Sequence, residues 1–66
     1  MAVAKTIEII SGSPDSIEAA ARAGIAKATE TLSNIEGAWI KDTKLIVRDG
    51  AVTGWRVTLA VTFVLE

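Results

Sequence analysis

The sequence predicts an α+β fold, one helix laid on a three-stranded sheet, in the order strand, helix, strand, strand. Three observations predict it. An alternating segment opens the chain at Val3–Ile10. Apolar and small residues then recur at three- and four-residue spacing from Ile17 to about Ser33. Two long alternating segments, Gly37–Arg48 and Thr53–Leu65, close the chain around Asp49-Gly50.

In the first strand, Val3, Ile7 and Ile9 share a face with Lys5, while Ala4, Thr6, Glu8 and Ile10 share the other. Ser11-Gly12-Ser13-Pro14-Asp15 reads as the junction into the helix. Ser13 is the expected N-cap, Pro14 suits the first helical position, and Asp15 complements the positive end of the helix dipole. The helix carries Ile17, Ala20, Ala21, Gly24, Ala28 and Leu32 on one side, a set dominated by small residues that lets it lie close to a sheet. Glu18 and Arg22 stand four apart on the other side and suit an ion pair. Asn34 is the expected helix stop, and Ile35 extends the apolar packing past it.

The final hairpin turns at Asp49-Gly50, with Ala51 and Val52 expected to widen the turn. Its last strand alternates regularly. Trp55, Val57, Leu59, Val61, Phe63 and Leu65 point to the helix, and Gly54, Arg56, Thr58, Ala60, Thr62 and Val64 point away. A right-handed crossover makes the first two strands parallel, so the third slots between them, antiparallel to both, as a split unit. The face turned away from the helix then has nothing in the chain to cover it.

Composition points the same way. Sixty-six residues make one short domain, residues 1–66, with a modest core. There is no Cys and no His, which removes disulfides and the common zinc sites as means of stabilisation. Yet half of the chain is hydrophobic and its mean hydropathy is +0.41. Surplus apolar surface on a small chain is most economically buried against further copies of it.

Seven Lys and Arg against eight Asp and Glu give a net charge of −1, without the basic excess expected of a nucleic-acid binder. The apolar runs fall well short of the about 18 residues needed to span a membrane. Met1 to Lys5 lacks the basic region and apolar core of a signal peptide, so a cytoplasmic protein is expected. Catalysis is not expected. The chain has no His, Cys or Tyr, its acidic residues are scattered, and its Ser and Thr hydroxyls have no evident base.

The element order, the length, the helix start Gly12-Ser13-Pro14-Asp15-Ser16 and the closing run Trp55-Arg56-Val57-Thr58-Leu59-Ala60-Val61-Thr62-Phe63 together resemble the dodecins over essentially the whole chain. The resemblance implies a β-α-β-β protomer assembling with itself into a hollow homododecamer, helices outside and sheets lining the interior and the subunit contacts. It also implies a non-enzymatic storage shell holding riboflavin, FMN or FAD at those contacts. In flavin-binding members an aromatic residue early in the second strand stacks on the flavin, and a Gln near the start of the third bonds its pyrimidine edge. Gly37 and Arg56 stand at those positions here, and Trp39 lies two residues beyond Gly37 on the same strand face. That pattern is closer to the branch that lacks the aromatic, such as calcium dodecin. The candidate ligand-binding residues are therefore Gly37, Trp39 and Arg56.

Each carries a second reading. Trp39 is a stacking platform or an interface filler. Arg56 holds an anionic ligand, or pairs across subunits with a carboxylate such as Asp42 or Glu36. Trp55, on the helix side, reads as core. Ser11, Gly12 and Ser13 at the helix start offer an anion site or a plain cap. Asp42, Asp49 and Glu66 are suitable oxygen ligands for calcium, but without EF-hand spacing they would have to be gathered from several subunits. Three functions follow: a shell binding a flavin or flavin-like molecule, a calcium-binding shell, and a structural homo-oligomer with no dedicated ligand.

Overall fold

The computed structural model describes residues 3–65, leaving Met1, Ala2 and the proposed calcium ligand Glu66 outside the described residues. Its elements are β1 (Val3–Ser13), α1 (Ile17–Thr29), β2 (Ile35–Arg48) and β3 (Ala51–Leu65). The sheet order is β1-β3-β2, with β3 antiparallel to both neighbours, so the split unit is the observed topology.

β1 runs three residues further than the sequence reading. Ser11, Gly12 and Ser13 pair with Val57, Arg56 and Trp55, because the central strand continues alongside and supplies partners for backbone groups that a loop would leave to water. The cap moves with it. Ser16, not Ser13, precedes the helix in an extended conformation and accepts a hydrogen bond from the Ala19 N–H at 2.9 Å. Ser13 Oγ instead accepts from the Asp15 N–H at 3.0 Å, holding the bend that contains Pro14.

α1 stops at Thr29 rather than near Ser33. The N–H groups of Glu30 and Thr31 turn back to the carbonyls of Lys27 and Ala28, tightening the last turn. Residues 30–34 must then reverse the chain so that Ile35 can pair with Phe63. Asn34 makes that reversal in the left-handed region, φ 62°, and its carbonyl accepts from the Val64 N–H at 3.0 Å. The Glu18–Arg22 pair forms at 2.8 Å on the exposed side of the helix.

The hairpin turn is a tight two-residue loop. Asp49 and Gly50 have φ of 53° and 79°, and Arg48 pairs directly with Ala51. Ala51 and Val52 therefore belong to the ladder and do not widen the turn. The extra residue is absorbed one step later, where Thr53 bulges between the Ile46–Gly54 and Val47–Val52 pairs and donates its hydroxyl to the Ile46 carbonyl.

The core lies between α1 and the sheet. Ala20, Val57, Leu59 and Val61 are its buried centre, with Ile7, Ile9, Ile17, Ala21, Ile25 and Ile35 around it. Burying a side chain such as Val57 or Leu59 contributes about 1.5–3 kcal/mol. Trp55 is on the helix side, as expected, but only half-buried beside Ser13 and Leu45 and outside that centre. The helix crosses the sheet closely because Ala20, Gly24 and Ala28 form its buried stripe. A Cβ on Gly24 would sit 2.8 Å from Leu59 Cδ1 and 3.0 Å from Ser11 Cβ.

Three substitutions test this packing and the helix cap by urea denaturation. Gly24→Ala gains up to about 1 kcal/mol in helix propensity, but Leu59 is buried and Ser11 Cβ is fixed to the backbone, so overpacking dominates and a net loss of about 1–2 kcal/mol is expected. A stabilised variant would mean that the helix stands further from the sheet. Ser16→Ala should lose about 1 kcal/mol and Ser13→Ala clearly less; the reverse order would return the cap to Ser13.

Candidate functional site

The face of the sheet turned away from α1 carries the candidate site. From β1 it presents Ala4, Thr6, Glu8, Ile10 and Gly12, and from β3 Gly54, Arg56, Thr58, Ala60, Thr62 and Val64. What β2 presents depends on two bulges. Glu36 is an extra residue between the Ile35–Phe63 and Gly37–Thr62 pairs, and Lys41 another between Ile40–Leu59 and Asp42–Thr58. Ile35, Ala38, Ile40, Thr43 and Leu45 therefore fall on the helix side, and Gly37, Trp39, Asp42, Lys44 and Ile46 on the open side.

The structure brings Gly37 and Trp39 together but keeps Arg56 apart from them. Gly37 is opposite Thr62 and Trp39 opposite Ala60, two residues apart on one strand face. Arg56 is opposite Lys44 on one side and Gly12 on the other. Six steps of β3 separate Arg56 from Thr62, about 20 Å at the usual strand rise. One planar ligand does not span that distance, so a site using both ends of the face must take them from different copies of the chain. A Cβ built on Gly37 meets nothing within 4 Å. The space above Gly37 is thus open on this face. Trp39 is 55% exposed.

Beside Trp39 lies a feature that sequence reasoning missed. Lys41 Nζ donates to Glu8 Oε2 at 2.5 Å, an ion pair that spans the central strand from β2 to β1. Its hydrogen bond to Glu8, and then the Glu8 charge, hold the Lys41 ammonium above the usual lysine pKa. Ala60, between Glu8 and Trp39 in the register, is 1% exposed although it points away from the core. Both groups are visible as charges in the sequence, but only the register across β3 shows that they meet.

The other candidate roles are changed or left without a donor set. Ser11 and Ser13 lie in β1 rather than at the helix start, so they do not form an anion site there. Among the described residues no group of three acidic side chains gathers, and Asp42 and Asp49 sit at different ends of the β2 segment that separates them. On the helix side, α1 lies over β1 and β3 and touches β2 little. This leaves a groove of about 680 Å³ lined by Ala21, Ile25, Ile35, Gly37, Ala38 and Ile40. Among the described residues no helix is long and apolar enough to cross a membrane.

Comparison with known proteins gives this geometry a family. The chain superimposes on a variant of the T. thermophilus dodecin with a TM-score of 0.94 at 30% identity, covering 100% of this chain and 98% of that one. The dodecin of Streptomyces coelicolor matches with a TM-score of 0.93 at 28% identity, over 98% of this chain and 93% of that one. The dodecin of Streptomyces davaonensis does so with a TM-score of 0.93 at 29% identity, over 98% and 96%. No curated protein matched. The dodecin family profile matches residues 3–66, and the chain belongs to the dodecin family.

Proposed function

We propose that this chain is the subunit of a non-enzymatic homododecameric shell that binds a planar small molecule of the flavin class at its subunit contacts, with Trp39 as the stacking surface. The observation that carries the reading is the open sheet face. It presents a half-exposed Trp39 beside the bare Gly37, on a face that no element among the described residues covers. Family membership supports both the assembly and the ligand class, because the dodecins it resembles are flavin-binding shells.

The surplus apolar surface supports assembly independently. Val3, Ile10, Trp39, Ile40, Leu45, Val47, Val52 and Leu65 are all more than two-fifths exposed on the single chain. Side chains of this size in contact with water favour association. Arg56 offers donors only, whereas a flavin edge presents donors and acceptors, so Trp39 stacking rather than edge recognition carries the binding. Calcium has no comparable support, since no carboxylate cluster forms among the described residues.

Fluorescence titration with riboflavin and with FMN checks the ligand. Saturable quenching of the flavin is expected, weakened about five- to tenfold in Trp39→Ala, the loss of one stacking contact of about 1–1.5 kcal/mol. The pair Gly37→Trp with Arg56→Gln should bind more tightly than the native chain. No binding by the native chain would leave a shell for another ligand or for none. Assembly is checked with Ile10→Glu. Ile10 is 69% exposed in the single chain, so a charge there leaves the protomer's own core intact, and dissociation on size-exclusion chromatography is expected. An unchanged assembly would remove this part of the open face from the contacts.

A further inference from the structure

We propose that Lys44 and Arg56 form a binding site for a doubly charged oxyanion of the phosphate class on the open sheet face, four residues along β3 from Ala60, the residue opposite Trp39. The two residues are directly opposite one another in the β2–β3 ladder. Cross-strand neighbours of this kind hold their Cβ atoms about 4.5–5.5 Å apart, and like charges so placed repel. Among the described residues neither cation has an ion-pair partner, the three pairs being Glu18–Arg22, Lys27–Glu30 and Glu8–Lys41.

The surroundings favour an anion between them. On its other side Arg56 faces Gly12, which has no side chain to fill the space. A cavity of about 420 Å³ opens here, lined by Ile10, Asp42, Thr43, Lys44, Arg56 and Thr58. Thr58 is one step along the same face and offers a hydroxyl donor. Asp42 is opposite Thr58, diagonal to Arg56 and unpaired with it. Its single charge leaves the patch with one net positive charge and, lying on the same strand two residues before Lys44, directs an anion away from itself toward the Arg56–Gly12 side. The planar guanidinium fork and the point charge of the ammonium together match a tetrahedral dianion. A carboxylate or chloride would neutralise only one of the two. The bulge at Lys41 is what places Lys44 on this face, so the pair is a product of the fold and not of sequence spacing.

The test uses the assembled native protein with inorganic phosphate and pyrophosphate, at ionic strength held constant with sodium chloride. Calorimetric titration and the melting temperature are read together. Saturable binding is expected, tighter for pyrophosphate, with a matching rise in melting temperature. Lys44→Gln should weaken it at least about tenfold, the effect of losing one charge-assisted hydrogen bond. Lys27→Gln, on the helix surface, should leave it unchanged. A response that never saturates, or that is equal in Lys44→Gln, would overturn the site as ordinary salt screening. So would a large drop in the phosphate-free melting temperature of Arg56→Gln with no phosphate binding by the native protein, since the cations would then be paired with carboxylates of a neighbouring copy.

Discussion

A sheet has two faces, and this chain has one helix to cover them. The helix is 13 residues long, about 20 Å, while the molecule extends 51 Å along its longest axis. Even the covered face is therefore covered over less than half its length, and among the described residues no helix lies on the other face. Everything distinctive in the structure answers to that shortage. The core is narrow, with Val57, Leu59 and Val61 as its largest fully buried side chains, all from the central strand. The ends of the long hairpin carry Leu45, Val47 and Val52 into solvent. With no disulfide and no histidine for a zinc site, association is the remaining source of stability for so small a core.

Within that constraint β3 organises the molecule. It pairs with both other strands, supplies the core on one face and most of the central row of the candidate sites on the other. The small residues of α1 bring the helix down on it, and Gly24 is the tightest point of contact. On the open face β3 sets a sequence of environments along one line: Thr62 between Thr6 and Gly37, the covered Ala60 beside Trp39, then Thr58 and the Arg56–Lys44 pair. One end suits a stacked planar ligand and the other an anion. In a single chain these ends are too far apart to act on one ring system.

Much of this was legible in the residues. The strict alternation of Trp55 to Leu65 identified the core face of β3, and the small-residue spacing of α1 identified its buried stripe. Strand order followed from element order and the handedness of crossovers. The boundaries were harder, because tertiary pairing overrode local signals. Ser11-Gly12-Ser13 has loop composition but lies beside a central strand that extends far enough to pair with it. That pairing pushed the cap from Ser13 to Ser16. The bulges at Glu36, Lys41 and Thr53 leave no signature in composition, yet each shifts the phase of its strand by one residue. Counting by twos from Trp39 puts Lys41 and Thr43 on its face; the structure puts Asp42 and Lys44 there. For that reason Gly37, Trp39 and Arg56 could be named from the sequence, whereas the Lys44–Arg56 pair, which lies past the bulge, could not.

Native mass spectrometry of the freshly purified protein tests the central claim most directly, that the fold is completed by other copies of itself. The account predicts a dodecamer as the dominant species, with no folded monomer surviving dilution. A monomer or dimer that remains folded and soluble would contradict it, because the exposed apolar side chains on both faces of the sheet would then be stable against water without a partner.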